Sequence, residues 1–542
     1  MADSAEDLRV DLYDTTLRDG TQREGIALSV DDKLRVARMI DGLGIGYVEG
    51  GWPGANPKDT EFFRRAASGE LRLERSTLAA FGMTRRPGRV ASTDPALAAL
   101  LEADTEVVCL VGKSWGLHVT EILGASKDEG VAMVADSVRF LRAEGRRVLF
   151  DAEHFFDGHA EDPAYALDIV TAAAGAGAEC VVLCDTNGGL LPDRVEAVTR
   201  QVADRLASDQ GSGANEAATQ LGVHVHNDTE CAVANSLVAL RAGATHVQGT
   251  INGIGERCGN ANLCSIIPNL KLKMGIDVIG DGELRQLSRT AHQVAETMNL
   301  VPDPHAAYVG HAAFAHKAGL HVSALAKRAD TYQHVEPGKV GNSLRLLMSE
   351  LAGRSTIVLK GERLGLDLGS DTELTGRILE RVKDLEHIGY SFEAADASFE
   401  LLVRDEAGEG QEVFRLESFR AIVERREDGG NVAEATVKVW VGGERLIGTG
   451  EGNGPVDALD AAFRVAVGGR YPELEKVHLA DYKVRIVDPQ AGTGATTRVL
   501  ISSSDGDREW QTVGVSENVI DASWKAMADA YAYGLSGKRA RA

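Results

Sequence analysis

The sequence lacks the features that mark membrane, secreted and nucleic-acid-binding proteins. No apolar run is long enough to span a bilayer, and residues 1–7 have neither the cationic region nor the apolar core of a signal peptide. There are 58 lysine and arginine residues against 81 aspartate and glutamate residues, and the formal net charge is −23. Because binding to a phosphate backbone depends on clustered cations, we expect no nucleic-acid partner and no membrane partner. A local basic pocket for coenzyme phosphates is compatible with this balance.

Cysteine is also scarce, and none of the six cysteines belongs to a Cys-x-x-Cys pair. We therefore expect reduced structural thiols and a cytoplasmic location. The cysteines are Cys109, Cys180, Cys184, Cys231, Cys258 and Cys264. The chain has 542 residues, of which 44% are hydrophobic, and this length exceeds what one hydrophobic core usually supports. Two or three domains are expected.

Short apolar runs recur through the first half of the chain, with helical periodicity between them. Eight of these runs are predicted strands, at residues 10–14, 47–51, 78–81, 107–111, 148–152, 180–185, 221–226 and 245–250. Helices are predicted at residues 29–43, 129–144, 192–206 and 228–242. Ser29 is a plausible N-cap and Pro192 a plausible first-turn residue. The alternation predicts an α/β fold, a (β/α)8 TIM barrel that ends near residue 275. The polar segment 208–215 is interpreted as a loop insertion.

Beyond the barrel, residues 276–390 are mostly helical in pattern and predict an accessory region or lid. Four histidines lie in a polar stretch of this region: His311, His316, His321 and His334.

The region after residue 390 changes to short alternating strands followed by helices. Segments 450–458 and 514–522 are similar, and each opens a helix after a strand, which predicts two βββα-like units. We therefore expect three domains: a catalytic barrel at 1–275, the helical lid at 276–390 and an α+β regulatory domain at 391–542. A duplicated module outside the barrel is a natural ligand-sensing or dimerising element.

Three polar segments, 14–20, 224–228 and 252–260, follow or end predicted strands. The carboxyl ends of barrel strands meet at one mouth, so these segments can form one site despite their separation. Their carboxylate, imidazole and amide groups suit a divalent cation such as Mg, Mn or Zn. The predicted metal ligands are Asp19, His224, His226 and Asn260. Each segment alone could be a turn or a structural hydrogen-bonding group, but their occurrence together favours the metal site.

Two longer motifs carry a family resemblance. Residues 13–22 are Tyr-Asp-Thr-Thr-Leu-Arg-Asp-Gly-Thr-Gln, and residues 50–59 are Gly-Gly-Trp-Pro-Gly-Ala-Asn-Pro-Lys-Asp. The chain resembles, over nearly its whole length, the acetyl-CoA-dependent 2-oxo-acid synthases of the DRE-TIM metallolyase group. That group includes isopropylmalate, homocitrate and citramalate synthases, and the second motif looks most like that of the long citramalate synthases.

The resemblance implies a transferase that condenses acetyl-CoA with pyruvate and water in a Claisen-type reaction, giving (R)-citramalate and CoA. It also implies a place in isoleucine biosynthesis and a homodimer. An end-product amino acid would be the feedback inhibitor, bound to the C-terminal repeat at the dimer interface; isoleucine is the first candidate and leucine the alternative.

The resemblance further implies roles for residues beside the metal ligands. Arg18 would donate to the negative charge that develops on the oxo acid, and Thr186 would hydrogen-bond its carboxylate. Glu153 and His321 would form the acid–base pair near the acetyl methyl group, with Tyr332 as a supporting hydroxyl. Structural roles stay open: Glu153 could be an ion-paired rim residue, and His321 a satisfied histidine inside the lid.

Several features keep other functions open. Asp151 would put a carboxylate near a pocket that the family commonly lines with apolar side chains, whereas Phe81 would supply bulk that favours a methyl-sized substrate. Cys258 invites comparison with acyl-CoA lyases, which use a loop cysteine in a similar region. The close alternative is a 2-isopropylmalate synthase that uses 2-oxoisovalerate, and a lyase or an amino-acid sensor is more distant. The glycine-rich stretch 448–454 lacks the ending of a phosphate loop and predicts a turn or a small-ligand loop.

Overall fold

The computed structural model describes residues 9–210, 218–347, 354–363, 368, 371–425, 427, 429–488, 492 and 494–536. Of the predicted insertion at 208–215, residues 208–210 end a helix and the others lie outside the described residues. The chain divides into two compact units, Met1–Phe314 with Val335–Ser343, and Ala315–His334 with Leu344–Ala542. Within the described ranges, no helix has both the length and the apolar character needed to cross a membrane.

The first unit contains a closed barrel of eight parallel strands in chain order, and the first and last strands pair to close it. The strands are β1 (Asp11–Asp14), β2 (Tyr47–Gly51), β3 (Thr77–Met83), β4 (Val107–Lys113), β5 (Arg147–Glu153), β6 (Cys180–Asp185), β7 (Gln220–Val225) and β8 (His246–Gly249). Buried side chains such as Phe81, Cys109 and Leu149 form a core cluster inside the barrel. The predicted TIM barrel is confirmed.

Helices of the first unit follow the strands and share a second, larger core with them. They are α1 (Val30–Gly42), α2 (Pro57–Ala67), α3 (Pro95–Glu102), α4 (Lys127–Ala143), α5 (Phe155–Glu161), α6 (Pro163–Gly175), α7 (Pro192–Gln210), α8 (Ala232–Arg241), α9 (Leu263–Asn269), α10 (Asp281–Leu284) and α11 (Leu287–Thr297). Ser29 caps α1 through a capping box with Asp32, and α7 begins at Pro192, both as predicted.

Helix α8 begins at Ala232, whereas the sequence pattern predicted a start at residue 228. Glu230 has a φ of +60°, in the left-handed region, which a right-handed helix cannot include. Oδ1 of Asn227 accepts the N–H of Ala232, at the start of the helix. The polar segment after β7 is therefore a loop.

The second unit contains one two-stranded parallel sheet and two three-stranded antiparallel sheets. Its strands are β9 (Ala315–His316), β10 (Arg345–Leu346), β11 (Arg415–Arg425), β12 (Asn431–Val441), β13 (Glu444–Gly452), β14 (His478–Ile486), β15 (Thr497–Ser504) and β16 (Glu509–Ser516). Its helices are α12 (Gly319–Lys327), α13 (Arg354–Arg363), α14 (Thr372–His387), α15 (Asp396–Glu406), α16 (Pro455–Val467) and α17 (Val519–Ser536). The orders β11-β12-β13-α16 and β14-β15-β16-α17 confirm the two βββα units.

Glycines bring the helix of each repeat directly onto its sheet. A Cβ on Gly448 in β13 would lie 2.1 Å from the carbonyl oxygen of Ala462 in α16. A Cβ on Gly514 in β16 would lie 2.0 Å from the carbonyl oxygen of Ala522 in α17. The interpretation of 448–454 as a turn or small-ligand loop was wrong, because most of that stretch is strand that packs against a helix backbone.

Candidate metal centre

The carboxyl ends of β1, β7 and β8 bring the predicted metal ligands together. Nε2 of His224 lies 3.3 Å from Oδ2 of Asp19, and Nε2 of His226 lies 3.7 Å from the same oxygen. All three side chains are buried, and one ligand atom from each lies within 4.8 Å of the others. Asn260 is also buried and forms an isolated antiparallel bridge with His226. Closure of the barrel thus unites residues from both ends of its sequence.

Arg18 is held beside Asp19 by a network of fixed partners. Its Nη1 donates to Oδ2 of Asp19 at 3.2 Å, and its Nε donates to Oε2 of Glu49 at 2.6 Å. The Tyr13 hydroxyl donates to the other Glu49 oxygen at 2.8 Å, and the guanidinium carbon lies 3.9 Å from the centre of the Phe81 ring. Sequence reasoning missed Glu49, although a carboxylate in the middle of a wholly buried strand was a usable signal.

The charges around Asp19 favour its ionised form. Burial opposes the charged carboxylate, but Arg18 and the two histidines outweigh it and hold the pKa of Asp19 well below its usual range. Burial also opposes a charged His224, yet the contact with Asp19 raises the pKa of His224 above its usual value. Each of these two side chains therefore favours the charged form of the other.

Gln248 lies behind His224. Nδ1 of His224 is 2.8 Å from Oε1 of Gln248, and Nε2 of Gln248 donates to Oδ1 of Asp151 at 2.9 Å. The sequence predicted that the Asp151 carboxylate lies near the oxo-acid pocket. In the structure this carboxylate is buried in the barrel interior and accepts from Gln248. Sequence reasoning missed Gln248, although it pairs with His224 in the register of β7 and β8.

Asn260 keeps its amide oxygen free. Its Nδ2 donates to the carbonyl oxygen of Ile254 at 3.4 Å, and Oδ1 has no hydrogen-bond partner among the residues that the structure describes. A Cβ on Gly255 would lie 2.2 Å from Nδ2 of Asn260. The glycine in this loop is therefore needed for the close approach of the asparagine.

Arg257 contacts the outer side of His226. Its Nη2 lies 3.2 Å from Nδ1 of His226 and donates to the carbonyl oxygen of Thr186 at 2.8 Å, while Nε donates to Asp228 at 2.8 Å. Because a guanidinium only donates, this contact leaves the ring proton of neutral His226 on Nε2. A neutral His226 that bound a cation through Nε2 would instead carry its proton on Nδ1, the nitrogen that Arg257 contacts. Sequence reasoning missed Arg257, whose backbone has a φ of +55° that no local pattern predicts.

The cluster fits a divalent cation. Oδ1 of Asp19 and Oδ1 of Asn260 are both buried without a hydrogen-bond partner in the described part of the chain. A buried unsatisfied polar atom costs about 1–3 kcal/mol, so a ligand for these oxygens stabilises the folded site. One carboxylate, two imidazoles and one amide oxygen form a mixed donor set that Mg, Mn and Zn accept.

Glu153 and Thr186 lie at the carboxyl ends of β5 and β6, at the same mouth of the barrel. Glu153 has a side chain that is 24% exposed and forms an ion pair with Lys113 at the end of β4. Oγ1 of Thr186 accepts the N–H of His154 at 2.9 Å, and His154 has a left-handed φ of +56°. The backbone of His154 therefore links these two predicted site residues.

His321 and Tyr332 belong to the second unit. Their rings are stacked, with centroids 4.0 Å apart and an interplanar angle of 24°. His321 lies in α12, and Tyr332 is 41% exposed in the segment that follows. The structure therefore pairs these two predicted residues with each other.

Cys258 is an exposed free thiol in the loop after β8.

Family models match most of the chain. Residues 9–294 match the HMGL-like family, and residues 308–389 match the homocitrate synthase post-HMGL domain-like family. Residues 393–535 match the LeuA allosteric (dimerisation) domain.

Curated relatives match over nearly their full length. The (R)-citramalate synthase of Streptomyces coelicolor is 56% identical over 525 residues, which cover 97% of this chain and 96% of the relative. The (R)-citramalate synthase of a Synechocystis species is 51% identical over 528 residues, with coverages of 97% and 96%. The probable 2-isopropylmalate synthase of Methanopyrus kandleri is 32% identical over 522 residues, with coverages of 96% and 97%. By its barrel, its C-terminal repeat and these relatives, the chain belongs to the (R)-citramalate synthase family.

Proposed function

We propose that the protein condenses acetyl-CoA with pyruvate and water to give (R)-citramalate and CoA. The observation that carries this proposal is the buried cluster of Arg18, Asp19, His224 and His226 in a chain 56% identical to a curated (R)-citramalate synthase. The reaction requires removal of a weakly acidic methyl proton and stabilisation of the alkoxide that forms on the former ketone. The barrel mouth offers a charged or polar group for each requirement.

Arg18 and Thr186 bind and orient pyruvate in this proposal. The guanidinium of Arg18 is fixed by Glu49, so its remaining N–H groups donate to the developing alkoxide without reorganisation. Thr186 accepts a backbone N–H at Oγ1 and keeps its hydroxyl proton for the substrate carboxylate.

Glu153 removes the methyl proton of acetyl-CoA, and His321 with Tyr332 supplies the opposite acid–base function. The ion pair with Lys113 holds the Glu153 carboxylate at the end of its strand. The stacked rings of His321 and Tyr332 hold each other in one orientation.

Asp19, His224, His226 and Asn260 would hold the divalent cation, which is Mg, Mn or Zn. When bound, it would supply a Lewis acid for the ketone of pyruvate. The buried oxygens of Asp19 and Asn260 that have no hydrogen-bond partner in the described chain support this assignment.

The test is CoA release by the purified protein with Mg or Mn, measured as kcat/KM for pyruvate, 2-oxobutyrate, 2-oxoisovalerate and 2-oxoglutarate. We expect pyruvate to be preferred and the product to be the R enantiomer on a chiral column. Preference for 2-oxoisovalerate would contradict the proposal in favour of 2-isopropylmalate synthesis. Release of no CoA with any of the four acids would overturn the condensation itself.

The C-terminal repeat is proposed to bind isoleucine and so to provide feedback inhibition in isoleucine biosynthesis. A cavity of about 390 Å³ in the second unit lies between α16, α17 and the strands β14 and β15. Asp460 in this cavity forms an ion pair with Arg464, and the Tyr531 hydroxyl donates to Asp460. Leu479, Ile501 and Met527 are among the apolar residues that line it. This lining suits an aliphatic amino acid. Its ammonium and carboxylate groups match the charge pair, and its side chain matches the apolar wall.

The match to the LeuA allosteric (dimerisation) domain supports a homodimer. We propose three functional regions: a barrel at 1–275, an accessory region at 276–390 and a regulatory domain at 391–542. Six free cysteines support function in the reducing cytoplasm.

A further inference from the structure

A hydrogen-bonded chain crosses the barrel interior beside the metal centre. It runs from His224 in β7 to Gln248 in β8 and on to Asp151 in β5. The three residues are 4%, 0% and 3% exposed, respectively. A buried polar chain is favourable only when each member has a partner, and this chain meets that condition, so it holds its three side chains in fixed orientations.

Asp151 sets the direction of every bond in this chain. Its partners are the Gln248 amide and the Cys109 thiol, and both are donors. Burial raises the pKa of Asp151, but the charges of His224 and Arg18 and both donors favour its carboxylate form, which accepts and does not donate. Gln248 accordingly turns Nε2 towards Asp151 and Oε1 towards His224. Because an amide oxygen only accepts, Nδ1 of His224 carries a proton. In neutral His224, Nε2 is then the nitrogen with a free lone pair, and it faces Asp19.

We propose that Asp151 and Gln248 are positioning residues that fix the tautomer of His224 and so make Nε2 its cation ligand. This inference rests on the proposed function, because it concerns the metal centre of that same site. It also accounts for a carboxylate among the apolar side chains of the barrel interior, without placing that carboxylate against the substrate.

The proposal is tested by Asp151→Asn, which keeps the size of the side chain. An amide at 151 offers a donor as well as an acceptor, so Gln248 is free to turn its NH2 group towards His224. Nδ1 must then accept, and the ring proton moves to Nε2, where it blocks the cation. Loss of a partner behind a metal-binding histidine typically lowers metal affinity by about 10- to 100-fold. We expect a loss of that size in the Kd for Mn²⁺, measured by electron paramagnetic resonance without substrate.

The double variant Asp151→Asn, Gln248→Glu is the decisive control. It exchanges the acid and the amide, so the carboxylate introduced at position 248 would accept from Nδ1 of His224 and from the new amide at 151. The direction of the chain is restored at the same net charge, and we expect the Kd to return to within about threefold of the original value. A residue that only fills space would show no such rescue. Asp94→Asn, a substitution of a buried helix cap in the same unit, is the matched control away from the chain.

The affinity for Mn²⁺ distinguishes failure of the metal centre from failure of the positioning role. If the unaltered protein binds no Mn²⁺, the proposed metal centre fails. If it binds Mn²⁺ and Asp151→Asn binds equally well, only the positioning role is overturned. Weak binding in both the single and the double variant overturns it too, because a carboxylate at 151 would then matter in itself. If Asp151→Asn does not fold, the double variant alone decides. Unchanged affinity for Mn²⁺ supports the positioning role of Asp151 and Gln248, and lost affinity contradicts it.

Discussion

Nε of Arg18 donates a 2.6 Å hydrogen bond to Oε2 of Glu49, and Glu49 is completely buried. The same guanidinium bonds Asp19, so one cation pairs with two carboxylates and faces the Phe81 ring. Removing one partner of a buried ion pair is far more costly than removing one on the surface. The pair therefore fixes the geometry of the barrel mouth before substrate arrives.

Replacing Arg18 with lysine should lower kcat/KM for pyruvate by about 100-fold, the loss typical of one missing donor to an oxyanion. The guanidinium donates to Asp19 and Glu49 from two of its nitrogens, and the single ammonium nitrogen of lysine cannot reproduce that geometry. Steady-state kinetics measure the loss, and the exposed Arg64→Lys is the control that should leave kcat/KM unchanged. Full activity in Arg18→Lys would remove Arg18 from the site.

Replacing His224 with alanine should abolish both turnover and stoichiometric binding of a divalent cation. Nε2 of His224 faces Asp19, and the loss leaves an incomplete ligand set. Metal content by mass spectrometry and CoA release are the two measurements. The exposed His305→Ala should retain both. A His224→Ala enzyme that keeps full activity would refute the assignment of the metal centre.

Replacing Phe81 with alanine should shift preference towards larger oxo acids. Phe81 is 5% exposed and packs edge-on against Trp52, so truncation opens space beside Arg18. One methylene in an apolar pocket changes specificity by about 10- to 200-fold, and we expect the kcat/KM ratio of 2-oxobutyrate to pyruvate to rise about tenfold. Phe140→Ala, in the outer helix α4, should lower stability without changing this ratio. An unchanged ratio in Phe81→Ala would place the substrate side chain elsewhere.

Replacing Asp460 with asparagine should weaken inhibition by isoleucine at least about tenfold, because the amino group loses its charged partner. The measurement is the isoleucine concentration that halves CoA release, with kcat unchanged in the absence of effector. Asp507→Asn, at an exposed position of the same unit, should be inhibited normally. An inhibition curve identical to that of the unaltered protein would exclude this cavity.

Replacing Asp529 with asparagine should stabilise the protein at alkaline pH. Burial raises the pKa of Asp529 from 3.8 to about 6, although the Ser398 hydroxyl donates to it. The folded chain therefore holds this proton more tightly than the unfolded chain, and stability falls as pH rises from about 4 to above about 6. The cost at pH 8 is about 3 kcal/mol, and the variant avoids it. We expect its Tm to exceed that of the unaltered protein by several degrees at pH 8 and to match it near pH 4. A Tm difference that is equal at both pH values would contradict this account.

Local sequence pattern was enough to predict the barrel and the residues that form its candidate metal centre. Short buried strands leave continuous apolar runs, and polar residues such as Asp19 and His226 stand out where those runs end. The N-cap at Ser29 and the proline at the start of α7 were likewise predictable, because both depend only on residues close in sequence.

The supporting residues could not be predicted in the same way. Gln248 bonds a histidine 24 positions away through the pairing of β7 with β8, and it bonds an aspartate 97 positions away across the barrel interior. Arg257 depends on a left-handed backbone conformation. Glu49 was detectable as a carboxylate in a wholly buried strand, but its partner, 31 positions away, was not. Asp151 is unusual as a carboxylate in a buried strand, but strand alternation alone does not identify its partner.

The pairing of β1 with β8 also determines when the site can exist during synthesis. Asp19 leaves the ribosome early, but Asn260 emerges only after about 240 further residues. A nascent chain that has not reached that point can neither close the sheet nor offer the complete set of ligands. The four proposed ligands, Asp19, His224, His226 and Asn260, can therefore come together only in a chain that has been synthesised beyond β8.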